Sequence, residues 1–240
     1  MLLLIAAGVV AALYATVGQA GGSGFVAVLT FANFEPGAIR ATAFALNIVA
    51  ASYATLHIYR TGRADWKLLG PLLTTSIPTS LLGGIIVLHL SAYYAVTGVV
   101  LLLVAVLMAF RVPLADMAPV KQSTALVTGA VTGLASGITG VGGGIFLAPI
   151  LILFAKASPK SIVVLSPPFI LANSVAALIG LLAVGQSVPL SILPLAGSAM
   201  LGSVVGMAIG LRFMSARAIQ LVLALILLSG GIQMLLRAIH

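Results

Sequence analysis

Three consecutive glycines, Gly142 to Gly144, interrupt a long apolar run of the sequence. Glycine inside a helix costs about 1 kcal/mol relative to alanine, so three in a row favour a break. Because glycine has no Cβ, backbone N–H groups there can approach a ligand closely. A helix N-terminus adds free N–H donors and a favourable dipole, which together attract anions. The motif therefore predicts binding of a small anion by backbone amides.

A second glycine cluster, "GQAGGSG" at 18–24, predicts a similar break near the N-terminus. Two asparagines also recur, in "LNIVAAS" and "ANSVAAL". The candidate substrate-binding residues are the glycines and the small polar residues of these motifs: Gly21, Gly22, Ser23, Gly24, Asn47, Thr139, Gly142, Gly143, Gly144, Ser166 and Asn173. Each polar side chain could instead make a hydrogen bond between membrane helices.

Acidic and metal-binding side chains are scarce. The three acidic residues fall at segment ends or in loops, no cysteine is present, and no cluster has metal-ligand spacing. The sequence therefore disfavours an enzyme, a metal site, a cofactor and a cation pump. His57 is the one histidine expected within reach of a path through the membrane, and it is a candidate for proton coupling because imidazole exchanges protons near neutral pH. The alternative for His57 is an interfacial residue without a transport role.

Composition identifies the environment of these residues. The chain of 240 residues is 62% hydrophobic and 6% charged, whereas soluble domains carry about 25% charged residues. This indicates a polytopic membrane protein. The net charge of +8 comes from scattered residues, which is not the pattern of a nucleic-acid-binding surface. The apolar N-terminus has no basic leading region and is interpreted as the first membrane segment.

Charges and turn residues divide the chain into eight apolar segments, and the second four repeat the order of the first four. "VLTFANFEP" ends at Pro36 and "LILFAKASP" ends at Pro159, with Phe31 and Phe154 at the same offset. The sequence therefore predicts an internal repeat. The expected domains are a first transmembrane repeat at 1–111, a linker at 112–123, and a second repeat at 124–240.

The basic residues favour inversion of the second repeat relative to the first. If all eight segments cross the membrane, Lys and Arg divide six against five between the two sides. If each long glycine-broken run enters and returns on one side, they divide nine against two, with Arg40 and Arg237 in the minority. Lys and Arg concentrate on the cytoplasmic side. The predicted fold class is thus an all-α polytopic membrane protein with two inverted repeats, built from six spanning helices and two re-entrant hairpins.

Two stretches carry a resemblance to a known family. "GLASGITGVGGGIFLAPILILF" and "RTGRADWKLLGPLLTTSIPTSLLGG", together with the duplicated layout, resemble the TauE/SafE sulfite exporters. The resemblance implies export of sulfite or a small organosulfonate across the bacterial inner membrane. The first glycine cluster is less dense than the family often shows, which leaves open whether both hairpins contact substrate equally.

The predicted function is export of a small sulfur-containing anion through a midplane site made by the glycine-broken helices. The expected partners are the anion and the lipid bilayer, and an oligomer is possible. Two alternatives stay open: an anion channel, and an auxiliary structural membrane protein whose glycines serve packing alone.

Overall fold

The regular structure is entirely helical in the part of the chain that the computed structural model describes, which is residues 1–62, 66–109, 120–155, 159–189, 192–210 and 216–239. Ten helices lie in these ranges: α1 Leu2–Ala15, α2 Gly22–Phe31, α3 Pro36–Arg60, α4 Trp66–Ile85, α5 Leu90–Ala109, α6 Gln122–Thr139, α7 Gly144–Ala155, α8 Pro159–Ala183, α9 Leu193–Gly210 and α10 Ala216–Ile239. The expected linker at 112–123 lies mostly outside the described residues.

Three described helices are long and apolar enough to cross a membrane: Pro36–Arg60, Trp66–Ile85 and Ser161–Ala183. Several shorter apolar helices accompany them. A bilayer core of about 30 Å needs roughly 20 helical residues, and α3 has 25. The chain is therefore a multi-pass membrane protein, while the division into six crossings and two hairpins stays a prediction.

Both glycine clusters break the helix as predicted, because their backbone adopts conformations that other residues avoid. Gly140, Gly142 and Gly143, between α6 and α7, have φ of 87°, 84° and 84°. Gly18 and Gly21 play the same part between α1 and α2, with φ of 72° and 107°. Side chains with a Cβ rarely adopt such angles. The short helices that follow, α2 and α7, have 10 and 12 residues.

Small residues bring the longer helices together. A Cβ on Gly83 of α4 would lie 2.7 Å from the Leu134 carbonyl oxygen and 2.9 Å from Gly137 Cα, both in α6. A Cβ on Gly202 of α9 would collide with the backbone of Gly8 in α1. Glycine is needed at these positions because two backbones approach each other directly. Gly83 and Gly202 therefore serve helix packing.

Contacts between the halves are reciprocal. α4 packs against α6 and α8, and in the same way α9 packs against α1 and α3. Ser80 donates a hydrogen bond to the Asn173 carbonyl at 2.9 Å, and Ser203 donates to the Ala50 carbonyl at 3.0 Å. Ser203 and Asn173 follow Ser80 and Ala50 by the same offset that separates Pro36 from Pro159. This reciprocity is what an approximate two-fold relation between the halves produces.

Helices α3 and α8 pack side by side and run in opposite directions. The beginning of α3 and the end of α8 line one cavity, which includes Pro36 and Leu181. The end of α3 and the first half of α8 line another, which includes His57 and Val163. Since both helices begin at the matching prolines of the two halves, their opposite directions are those expected of an inverted repeat.

Candidate functional site

Asn47 lies where the two glycine breaks meet. Its side chain is fully buried in α3, and neither its Nδ2 nor its Oδ1 has a hydrogen-bond partner. A Cβ on Gly22 would lie 2.7 Å from Asn47 Nδ2, and a Cβ on Gly142 would lie at the same distance. Buried amides are nearly always hydrogen-bonded, so an unpartnered one needs an explanation. A ligand that accepts hydrogen bonds would provide it.

Two further hydroxyls without partners lie beside the α6–α7 break. Ser174 Oγ is 3.0 Å from the position of a Cβ on Gly142, and Ser136 Oγ is 3.5 Å from that of a Cβ on Gly143. Both side chains are fully buried, and neither oxygen has a hydrogen-bond partner. A hydroxyl can donate to an anion. The site therefore offers donors from α3, α6 and α8 around one break.

Gln19 links the first break to the second. Its Nε2 donates to the Gly144 carbonyl oxygen at 3.1 Å and to Ser166 Oγ at 3.5 Å. Ser166 Oγ donates in turn to the carbonyl of Ile162 in its own helix. The α1–α2 connection is thus attached to the start of α7, and Ser166 lies at the edge of the cluster around Asn47.

Comparison with known proteins agrees with this architecture. The profile described as "Sulfite exporter TauE/SafE" matches residues 3–234, nearly the whole chain. The chain belongs to the TauE/SafE family. It is also similar to the probable membrane transporter protein y4hK of Sinorhizobium fredii (strain NBRC 101917 / NGR234), with 36% identity over 243 residues that cover 97% of each chain. No solved structure matches significantly. The chain is accordingly a membrane transporter.

Some predicted residues of this TauE/SafE protein have their polar atoms engaged elsewhere. Ser23 Oγ shares a 2.7 Å hydrogen bond with the hydroxyl of Tyr14, and Thr139 Oγ1 donates to the carbonyl of Ala135 one turn earlier. A Cβ on Gly24 would contact Val10 and Tyr14. These contacts are those of helix packing. Gly21, at φ of 107°, ends the first break and faces the ring of Phe25.

The two asparagines are not equivalent in the TauE/SafE fold. Asn173 Nδ2 donates to the carbonyl of Phe169 in its own helix at 2.8 Å, so only Oδ1 is left without a partner. Because an amide nitrogen carries two N–H groups, Asn173 keeps one donor, whereas Asn47 keeps both. The structure thus separates Asn47, whose amide nitrogen is unpartnered and lies beside Gly22 and Gly142, from Asn173, which uses one donor within α8.

His57 lies away from Asn47, toward the other end of α3. The two residues are ten positions apart, about 15 Å along a helix. His57 is partly buried and lines a cavity of about 70 Å³ together with Gly18, Thr61 and Pro167. A role in proton coupling would have to operate at this cavity and not at the central amide.

Gln19, Ser136, Ser174 and Arg40 were not among the residues predicted from the sequence. Gln19 had a visible signal, because it is the one amide side chain inside the first glycine cluster. Ser174 directly follows Asn173, and only the rotation of α8 reveals that the serine faces Gly142. Arg40 was counted as a charge near a membrane surface, but it is 3% exposed. Arg40 therefore gives no information about the orientation of the protein in the membrane by the distribution of Lys and Arg.

Histidine and acidic residues do not converge on this site. Among the described residues, no group of three or more could hold a metal ion. The polar groups around Asn47 are an amide, hydroxyls and backbone, all of them neutral. Such groups can bind an anion by hydrogen bonds without transferring a proton to it.

Proposed function

We propose that this transporter carries a small sulfur-containing anion, sulfite or an organosulfonate, outward across the bacterial inner membrane. The anion binds at the centre of the protein, between the two glycine breaks. The observation that carries this proposal is the buried Asn47 amide, which has no partner and faces Gly22 and Gly142.

The chemistry of the centre suits an anion with several oxygen acceptors. Asn47 Nδ2, Ser174 Oγ and Ser136 Oγ supply donors, and the starts of α2 and α7 add backbone N–H groups. Desolvation of an anion is expensive unless hydrogen bonds replace its water. The TauE/SafE proteins are described as sulfite exporters, and sulfite has three such oxygens, which directs the choice of substrate.

We also propose that the two halves are inverted repeats, 1–111 and 124–240. The reciprocal hydrogen bonds of Ser80 and Ser203 and the opposite directions of α3 and α8 support this arrangement. Inverted repeats with broken helices near the midplane allow a binding site to open alternately to each side. A carrier mechanism follows from that geometry.

Counterflow in liposomes tests the proposal. Purified protein is reconstituted and the liposomes are loaded with unlabelled sulfite, and entry of labelled sulfite is then measured. A carrier accelerates entry when substrate is present on the opposite side. Sulfate, sulfoacetate and taurine, each loaded in place of sulfite, measure selectivity within one preparation.

Each alternative gives a different result. An anion channel passes electrical current and shows no acceleration by internal substrate. An auxiliary structural protein gives neither acceleration nor current. Either outcome would contradict the proposed carrier function.

A further inference from the structure

Arg40 is a buried charge near the beginning of α3. Its Nη1 donates to the carbonyl of Ile86 at 2.9 Å. Its Nη2 donates to the carbonyls of Gly83, Gly84 and Gly137 at 2.9, 3.1 and 2.7 Å. The guanidinium thus binds the end of α4 and the end of α6, where carbonyl groups lack helical partners.

These contacts leave the positive charge of Arg40 without a counter-ion. All four acceptors are neutral carbonyl oxygens, and Nε has no hydrogen-bond partner although it is buried. Buried charges in proteins are normally paired with an opposite charge. Arg40 therefore retains both a full positive charge and one free N–H donor.

A cavity of about 410 Å³ opens beside this charge. Arg40 and Tyr93 line it together with the first turn of α3, at Gly37 and Ala38. No side chain caps the N-terminus of α3, so its first N–H groups are free of a side-chain partner. Glu35 also lines the cavity and is exposed, so water screens its carboxylate more than the buried guanidinium. The cavity is therefore positive at its buried wall.

The cavity and the central site lie along the same face of α3. Asn47 follows Arg40 by seven residues, which is two helical turns and about 10 Å. The α6–α7 break runs beside both residues. A Cβ on Gly140 would lie 3.2 Å from Arg40 Cα, and one on Gly142 would lie 2.7 Å from Asn47 Nδ2. One glycine segment thus connects the cavity with the unpartnered amide.

The described residues that line the cavity at the other end of α3 include no arginine. Gly18 is close to Val163, because a Cβ on Gly18 would be 2.8 Å from Val163 Cγ1. This contact corresponds to the contact between Gly140 and Arg40. Val163 and Arg40 are separated by the offset of Pro36 and Pro159. Val163 lines the cavity that contains His57. The two cavities occupy corresponding places, and among the described residues that line them a buried arginine is present only in the first.

We propose that the Arg40 cavity is a second anion-binding site, a vestibule in which the anion stops between the solution and the Asn47 site. Its ligand is a small oxyanion with a sulfite or sulfonate group, and this assignment of the ligand rests on the proposed function. Arg40 binds the anion through its charge, and the first turn of α3 adds backbone donors. The vestibule gives the two ends of the transporter different affinities for the anion.

Thiol chemistry can measure the charge of the vestibule, because the chain has no cysteine of its own. A single cysteine is introduced by Ala38→Cys, at a partly buried position of the cavity wall. Its reaction rates are measured with two methanethiosulfonates, one carrying a sulfonate and one a quaternary ammonium. We expect Arg40→Gln to reduce the ratio of anionic to cationic rate by at least about tenfold, because the charge is removed from a poorly screened place.

Three further variants distinguish the effect of the Arg40 charge on the labelling ratio from an effect of Arg40 on the fold. Arg40→Lys keeps the charge while losing part of the bonding to α4 and α6, and should retain most of the ratio. Glu35→Gln removes an exposed negative charge and should raise the ratio. Arg60→Gln makes the same charge change at the far end of α3, about 30 Å away, and should leave the ratio unchanged.

Protection of the introduced cysteine against labelling measures anion binding without a substitution at Arg40. Methanesulfonate should slow the labelling of Ala38→Cys several-fold more than chloride does at equal ionic strength. Equal protection by the two salts would overturn the second site, even if the Arg40 variants fail to fold. A ratio unchanged by Arg40→Gln would overturn it as well. Neither measurement needs transport, so the vestibule and the Asn47 site can fail independently.

Discussion

At the scale of single residues, Asn47 is the most informative side chain. Asn47→Leu replaces the amide by an apolar group of similar size and removes the donors that face the break. A hydrogen bond to a charged group contributes about 1.5–3 kcal/mol, so sulfite affinity should fall roughly tenfold to a hundredfold. Equilibrium binding of sulfite to purified protein measures this change.

Asn173→Leu is the matched control for Asn47→Leu. One donor of Asn173 is occupied by the carbonyl of Phe169, and Ser174 rather than Asn173 faces Gly142, so replacement of Asn173 should alter sulfite affinity by less than about threefold. Thr139→Val should be equally mild, because Thr139 Oγ1 donates within its own helix. Equal losses for Asn47→Leu and Asn173→Leu would contradict the placement of the anion beside Asn47.

The glycines of the break are less suitable for such a test. Gly143 has φ of 84°, and a Cβ there would lie 3.0 Å from the ring of Phe169. Gly143→Val should therefore abolish transport, but it also strains the backbone and the packing. Sulfite binding by the Gly143→Val variant is therefore informative only when the fold of the variant has been verified.

His57 allows a direct test of proton coupling. If His57 carries a proton during transport, His57→Gln should flatten the dependence of transport rate on pH, because glutamine does not titrate. Initial rates across a pH series, at equal protein content per liposome, provide the measurement. A pH profile that matches the parent protein would remove His57 from the mechanism.

At the scale of helices, α4 contains both a packing glycine and a free one. Gly83→Ala places a methyl group 2.7 Å from the Leu134 carbonyl of α6, so α4 and α6 must separate. Gly70 has open space at its Cβ position. Gly83→Ala should lower the thermal unfolding midpoint by several degrees, whereas Gly70→Ala should change it much less, since the helix preference of alanine, about 1 kcal/mol, is opposed by contact of its Cβ with the ring of Pro71.

Thermal unfolding of the two α4 variants in the same detergent gives the comparison. Equal midpoints for Gly83→Ala and Gly70→Ala would show that α4 and α6 adjust without cost. Gly83 would then not be a determinant of stability.

The helices themselves could largely be predicted from the sequence. Apolar runs, the prolines at Pro36 and Pro159, and the glycine clusters locate the starts and breaks of α2, α3, α7 and α8. The site could be predicted only in part, because the rotation of each helix decides which side chain faces the break. Ser174 rather than Asn173 faces Gly142 for this reason, and Arg40 turns inward to carbonyls of distant segments.

At the scale of the whole molecule, the inverted arrangement predicts which loops share a side. Single cysteines at Arg63 and Ser158, which lie outside the described residues, should both resist an impermeant external thiol reagent in intact cells. Ser187→Cys, exposed beyond the end of α8, should react with it. External labelling of position 63 or 158 would contradict the predicted orientation.

The bonding of Arg40 also constrains how the protein is made. Its acceptor in α6, Gly137, is synthesised 97 residues later. When α3 leaves the ribosome none of these carbonyls has been made, so water and lipid headgroups must solvate the guanidinium, which favours a position of the start of α3 at the bilayer surface. It can enter fully once α4 and then α6 have been translated and have presented their carbonyls. Three of the four acceptors come from the end of α4 and one from α6, so a nascent chain that stops before α6 lacks the last acceptor of Arg40, and the second half of the chain completes the burial of a charge in the first.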